Sequence, residues 1–389
     1  MFLDGINFKK ALLVLLILTV PATAIGQELK LTPSLAVQEE YNDNILLSPS
    51  YSTDDFITTT TPALELSSGT ERRDTDLTAG INWLNYAHHK GPDVVDYFAN
   101  GTGGFKIDER LAVSGGGSYI RNSRPDQIDL ATGLAINSEN RTQSCQAGGS
   151  YMLTEKSKIS LAYSFIQQDY SLSTLLGSRQ HQGSADLSYT LAPQTSLETA
   201  FTFNRQLTDI SKVDNYYATL GLVYKLKELW SLSMNAGAIY TNSDLVVGGL
   251  YDISTGDWGW VGNLSFIYTG EKLNGTVSFN RNVSPAAGMT GSTETTGGSI
   301  SLEDKFTYEL SGAVNFGYYW NKSNQDQFSV QTIDEKTLEL NCMLHYDFNK
   351  DLALEANYHH LDVDYGQLGT RASQNSYMLR LTMRHMLFL

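Results

Sequence analysis

The residues of this chain that could do chemistry are carboxylates and bases spread along its length, not a compact constellation. Glu40, Glu65, Asp76, Asp96, Asp186, Glu198, Glu309, Glu339 and Glu355, with the bases Lys106, Lys158, Lys225, Arg380 and Arg384, sit in stretches whose polarity alternates residue by residue. Successive side chains on a strand point to opposite faces, so this parity places the whole set opposite the apolar face. If that face lines water, the excess of carboxylate favours cations. If the acids and bases pair with neighbours, the set is ordinary polarity, and a one-residue slip would invert every assignment. Arg380 and Arg384 share one face of the last alternating stretch. They read either as a constriction-zone cluster or, as the favoured reading, as salt bridges across a closing seam to Glu40 and Glu355.

Other candidates carry less. His88-His89 and His359-His360 are adjacent, and adjacent strand residues face opposite ways, so neither pair chelates a metal from one side. Gly115-Gly116-Gly117 and Thr296-Gly297-Gly298 lie inside strands with no helix following. They read as places where a wall bends rather than as phosphate loops. No Ser/His/Asp set, metal spacing or haem-attachment motif is present, so no catalytic residue, cofactor or metal is expected.

The elements that must position these residues are strands. Lys158–Gln168 sets Ile159, Leu161, Tyr163 and Phe165 against Lys158, Ser160, Ala162 and Ser164. Trp230–Tyr240 and Phe306–Tyr318 repeat the pattern. The stretches run about ten to thirteen residues, long for soluble strands (about five or six) and right for tilted strands crossing a bilayer (about nine to eleven). Short turns are expected near 70–73, 107–110, 154–157, 192–195, 226–228, 270–272, 303–305 and 349–351. Longer loops are expected near 43–53, 88–93, 122–137, 170–178, 206–212, 242–256, 285–294, 321–331 and 366–374. That alternation is the connection pattern of an all-β, antiparallel up-and-down transmembrane barrel with short periplasmic turns and longer extracellular loops. It gives eighteen strands, with sixteen as the alternative. Aromatics such as Tyr163, Tyr189, Trp230, Tyr240, Trp258 and Tyr346 fall near strand ends on the apolar face, where interfacial girdles belong.

Composition agrees. Mean hydropathy is −0.24, which a barrel with a water-lined interior can afford. Charged residues are 18%, below the roughly 25% of soluble domains. Lys+Arg 27 against Asp+Glu 42 gives a net charge of −15, which argues against nucleic acid as a partner. Residues 1–24 read as a secretory signal peptide: Lys9-Lys10, the apolar run Ala11–Val20, and cleavage after Ala24 or Gly26. Residues 25–389 then form the barrel domain, exported to a Gram-negative outer membrane. Cys145 and Cys342 fall on the lipid face of the sixth and sixteenth strands, too far apart for a disulfide, and are expected to be buried free thiols. Pro33 and Pro62 fall roughly opposite each other and weaken pairing there; the first strand starts either before or after Pro33.

Leu35–Leu47 (LAVQEEYNDNILL), followed by Asp55-Phe56-Ile57-Thr58 and Thr61–Leu66 (TPALEL), resembles the opening of the β-barrel porin type 2 family, associated with exopolysaccharide gene clusters. The resemblance covers about 30 residues. It implies an outer-membrane barrel and a role in polysaccharide export or passage. One departure is the C-terminus: outer-membrane barrels commonly close on Phe or Tyr, whereas here Leu389 is last, beside Phe388.

Three functions compete. The first is a non-enzymatic porin-like channel for polysaccharide or another polar solute. The second is a barrel sheath around a partner such as a cytochrome in an electron conduit. The third, a barrel hydrolase, has no residue set behind it. Expected partners are outer-membrane lipid, the barrel assembly machinery, and polysaccharide-export or periplasmic proteins. The loop Asn122–Asn137 is the candidate constriction. Its apolar run Leu130–Ile136 is awkward in water, and Asp126 and Asp129 would bring acid to the narrowest point.

Overall fold

Alternation decides the architecture, because each two-faced strand must find two neighbours to pair its backbone. The computed structural model describes residues 29–89, 94–124, 126–128, 135–136, 138–247, 251–285, 291–323, 333–366 and 369–388. The segment read as a leader, and Asp129, lie outside them. The wall strands are β1 (Leu29–Asn42), β2 (Asp55–Gly69), β3 (Arg73–Tyr86), β4 (Val94–Lys106), β5 (Leu111–Asn122), β6 (Asn140–Thr154), β7 (Ser157–Tyr170), β8 (Ser178–Ala192) and β9 (Thr195–Leu207). They continue as β10 (Ser211–Lys227), β11 (Trp230–Val247), β12 (Tyr251–Thr269), β13 (Leu273–Pro285), β14 (Ser292–Lys305), β15 (Leu310–Ser323), β16 (Asp334–Asn349), β17 (Leu352–Tyr365) and β18 (Thr370–Arg384). Each pairs antiparallel with the next, and β18 returns to β1 from Asn42↔Ser376 to Ser34↔Arg384. The result is a closed, eighteen-stranded antiparallel barrel, as the turn count predicts.

Outward positions are apolar and exposed, for example Leu161, Leu220, Trp260 and Leu379. Inward positions are mostly polar or small, with buried apolar side chains such as Ile57, Leu84, Ile239 and Leu361 near the long loops. Every aromatic assigned above to the apolar face lies on the outward side, and cross-strand neighbours meet there: Phe203, Tyr216, Tyr240 and Trp258 form one row over four strands with ring centroids 5.0, 6.4 and 5.0 Å apart. Gly116 lies where the wall packs tightly; a Cβ there would sit 2.8 Å from the Gly101 carbonyl. Cys145 and Cys342 are free and face outward, but Cys145 is exposed on the barrel surface and Cys342 is half-buried, so neither is a core thiol.

Two local expectations are corrected, and one left open is decided. Phe306–Glu309 form a turn rather than the start of β15. The Thr307 hydroxyl accepts from Glu309 N (3.2 Å) and Leu310 N (3.0 Å), a side-chain turn that outcompetes the strand pattern. Glu309 therefore sits on the periplasmic rim and not in the lumen. Residues 242–247 and 251–256 are strand, paired from Asn242↔Gly256 to Val247↔Tyr251, so β11 and β12 rise well past the apolar band. β1 begins at Leu29, before Pro33. Pro33 faces Leu64 and Pro62 faces Leu35, two rungs apart, and the β2–β3 ladder skips Thr61 and Pro62. Pro33 also has an effect on the closing strand: β18 stops at Arg384, and pairing to β1 resumes only at Leu387 and Phe388. A proline offers no N–H to the ladder; His385 N donates instead to the Pro33 carbonyl at 3.1 Å.

β7 has the cleanest face assignment, with Leu161 57% exposed on the outside. With Cys145 and Cys342 replaced by Ala, cysteines at 160 and 164 should react with a membrane-impermeant thiol reagent, and those at 161 and 163 should not. The reverse labelling would contradict the orientation. Leu161→Arg should destabilise the folded barrel by about 2–4 kcal/mol in lipid-vesicle unfolding.

Candidate functional site

The lumen has two unlike halves. Near the short turns, inward side chains stand in water: Glu65, Asp76, Glu198, Lys106, Lys158 and Lys225 are exposed, and Asp186, Glu355 and Arg380 half-exposed. Near the long loops, inward side chains are polar and yet buried, among them Asn42 (0% exposed), Asn215 (0%), Asn321 (0%) and Gln374 (2%). Glu40 and Asp96 belong to this second group.

Loop 1, after β1, accounts for part of that burial. Its residues Ile45 and Leu47 turn into the barrel. Ile45 packs on Ile57 and Leu84, with Tyr86 and Val94 alongside; Leu47 packs on Leu361, Val363 and Ala372. Leu47 is fully buried and holds a φ of 44°, a left-handed conformation that costs a non-glycine residue about 1–3 kcal/mol. Burying a leucine side chain contributes about the same, so the tuck holds because its neighbours also gain. Asn44 anchors it, donating to the Ser48 and Ser373 carbonyls at 3.1 and 2.9 Å.

Loop 3, after β5, reaches back to the seam between β1 and β18. The Arg124 guanidinium donates to both Glu40 carboxylate oxygens at 2.8 Å and to Asp126 at 2.8 and 3.0 Å. Asp126 Oδ2 also accepts from Asn42 Nδ2 (3.0 Å) and Gln374 Nε2 (2.9 Å). Ser123, at the foot of the loop, donates through its backbone N and hydroxyl to Asp96 Oδ2 at 3.1 and 3.0 Å. The loop is thus latched by charge-assisted bonds onto strands that are its neighbours only through the barrel interior. Glu40 and Asp126 side chains are 6% exposed and Arg124 24%. Burial alone would push the Asp126 carboxyl up, but the Arg124 charge and the Arg124 and Gln374 hydrogen bonds outweigh it and hold the carboxyl below its usual range. The same acids hold Arg124 well above its own, against its burial.

Glu40, Glu65, Asp76, Asp96, Asp186, Glu198, Glu339 and Glu355 all take inward positions. The seam pairing differs from expectation. Glu40 bonds Arg124 of loop 3 rather than a β18 arginine. Arg380 lies opposite Glu355 and Gln38 in the ladders. Arg384 lies lower, 3.6 Å from Asp347 and donating to the Lys350 carbonyl. His359 meets Glu339 at 3.1 Å. His88 and His89 lie in a bend beyond β3, where opposite-face geometry no longer applies, and both rings approach Asp55, at 3.3 and 3.0 Å. The backbone N–H groups of both also donate to Asp55, so this carboxylate caps the bend after β3. Among the described residues no group of His, Cys, Asp and Glu could hold a metal ion. Sequence reasoning missed Arg124, Ile45, Leu47 and Gln374. The run Ile45-Leu46-Leu47, apolar inside a polar loop, carried the same signal that singled out loop 3.

Closure, an apolar outer band between aromatic rows and a polar, water-facing interior define a porin-like outer-membrane β-barrel. Comparisons with known proteins agree. Residues 28–127 match the family model described as "Putative beta-barrel porin 2". No curated relative matches the sequence at a significant level. Among solved structures the barrel is similar to OccK9 (OpdG) of Pseudomonas aeruginosa, at 12% identity over 93% of this chain and 99% of that one, with a TM-score of 0.51. It is also similar to Pseudomonas aeruginosa OpdK, solved with vanillate, at 11% identity over 92% and 99%, with a TM-score of 0.50.

The latch sets an expected pH response. A carboxyl held below its unperturbed value near 3.9 contributes stability above that value and loses it as pH falls through the lowered one. Ion conductance in planar bilayers should therefore stay constant from pH 7 to about 5 and rise only below about 4. A rise centred near pH 6 would show that another group governs the loop.

Proposed function

We propose that the protein is a non-enzymatic outer-membrane channel for a polar solute, with its extracellular mouth narrowed by loops 1 and 3. The bidentate Arg124–Glu40 contact across the lumen carries this reading, because it pins a loop over the water path while the periplasmic half stays open. Loop 3 is then the constriction. Asp126 acts less as a free acid than as half of the latch, since Arg124 neutralises much of its field. Glu40, Asp96 and Asp126 still outnumber Arg124 there, and wall acids outnumber bases below, which favours cations.

A polysaccharide chain is one solute class this lumen suits. The buried inward residues around the mouth are largely amides and hydroxyls, such as Asn215, Thr241, Thr293 and Asn321, which can donate and accept with sugar hydroxyls. A polymer would pass only with the latch released. The sheath reading is less well supported. A partner threaded through the barrel would need the space that Ile45, Leu47 and Arg124 occupy.

Removing one partner of a buried ion pair costs about 3–5 kcal/mol, and partial exposure of Arg124 puts this latch at the lower end. Arg124→Ala should raise single-channel conductance severalfold, add open-state noise, and shift the reversal potential in a salt gradient further toward cations. Glu40→Gln should raise conductance too, but shift the reversal potential away from cations, because it removes an acid and leaves the Arg124 charge. Unchanged conductance in correctly assembled Arg124→Ala barrels would show that the latched loop does not limit the pore.

A further inference from the structure

One interface of the wall is incomplete. The β12–β13 ladder runs from Thr269↔Asn274 up to Gly262↔Arg281 and stops. Yet β12 continues to Tyr251, paired throughout with β11, and β13 continues to Pro285, paired throughout with β14. Among the described residues no strand pairs with the β13-facing edge of β12 from Tyr251 to Val261. The ten residue steps from Tyr268 to Trp258 rise about 25 Å at roughly 3.3 Å each and a tilt near 40°, the height of an outer-membrane apolar band. The ladder therefore ends at the outer-leaflet interface, beside Trp258 and Trp260.

The edges of this split are finished by side chains. Val283 N donates to Asn282 Oδ1 at 2.9 Å, and its carbonyl accepts the Tyr217 hydroxyl, from β10, at 2.6 Å. On the facing edge, Trp258 N donates to Asp257 Oδ1 at 2.7 Å. These bonded groups weaken both edges as templates for an added strand, which disfavours a second copy or an inserted peptide as the neighbour.

The lining at the split is apolar. Ile239 and Val261 face inward; Val283, which shares the outward parity of Val277 and Phe279, packs against Ile239 and Val261 from β13. The three are 1%, 6% and 4% exposed and pack with Tyr217. The neighbouring inward residues Asn215 and Thr241 are polar, and the apolar clusters around Ile45 and Leu47 are covered by loop 1. In front of the split, Trp258 and Trp260 are 72% and 54% exposed toward lipid, and the Arg281 guanidinium lies 4.7 Å from the Trp260 ring while bonded to Glu294. We propose that the split between β12 and β13 is a lateral portal, through which the apolar chain of an amphiphile moves between the lumen and the outer leaflet while its polar head stays among the lumen amides. The proposal rests on the aqueous lumen read above, and ion conductance reports that lumen separately.

The test uses the full chain in phosphatidylcholine vesicles containing a phospholipid with a diazirine midway along one acyl chain. Photolysis and peptide mapping should place adducts on Ile239 or Val261 as well as on outward Trp260 and Leu264, and none on the equally inward Thr219 and Asn315. Adducts confined to outward residues would overturn the portal. In a background lacking Cys145 and Cys342, the pair Val261→Cys and Val283→Cys should, when oxidised, abolish labelling of Ile239 and restore it on reduction, with ion conductance unchanged. Labelling of Ile239 that persists in the oxidised pair would equally overturn it.

Discussion

The structure depends on one constraint: inside a bilayer every backbone N–H and C=O must find a partner within the protein. A closed antiparallel barrel meets it, and the β18–β1 register completes the ring. Side-chain parity follows, because a ladder paired on both edges leaves only two faces, one for lipid and one for the lumen. That is how a chain of mean hydropathy −0.24 with inward wall carboxylates such as Glu65, Asp76 and Glu198 can still span a membrane. The exceptions obey the same constraint. Pro33 interrupts the closing strand at the periplasmic end, where water reaches. The β12–β13 ladder ends only near the outer interface, and there side chains bond the backbone of Val283 and Trp258.

Above the membrane the constraint relaxes, and the chain uses that freedom to fill its own mouth. Loop 1 carries apolar residues into the barrel; loop 3 carries a guanidinium. The two anchors differ in kind. Ile45 and Leu47 are held by packing, which is insensitive to salt and pH. Arg124 is held by carboxylates, which respond to both. The mouth thus combines a fixed restriction with a releasable one, and the releasable one ties loop 3 to the seam, the last joint made when the barrel closes.

Much of this was legible from sequence because the signals were local and periodic. Ile159, Leu161, Tyr163 and Phe165 declare their face without any knowledge of neighbours, and the alternation of short and long connections yields the strand number. Asp126 was reachable because the apolar run Leu130–Ile136 in its loop is out of place in water. What was not legible depends on partners far apart in the chain or on small polar competitors. Arg124 and Glu40 are 84 residues apart, and parity says nothing of a loop side chain. Thr307 converts an apparently regular stretch into a turn by two hydrogen bonds, taking Glu309 out of the lumen. The histidines at 88 and 89 were judged by strand geometry that ends two residues before them. The split between β12 and β13 leaves no periodic trace, since both strands keep alternating past it.

The central claim, that loop 3 is seated inside the barrel against β1, is open to a direct chemical test. Asn42 Nδ2 lies 3.0 Å from Asp126 Oδ2, so Asn42→Cys with Asp126→Cys, in a chain without Cys145 and Cys342, should form a disulfide spontaneously in intact outer membranes. The expected result is near-complete oxidation, read as a mobility shift that reductant reverses and an impermeant extracellular thiol reagent does not prevent. Two free cysteines that both react with that reagent would place the loop outside and contradict the account.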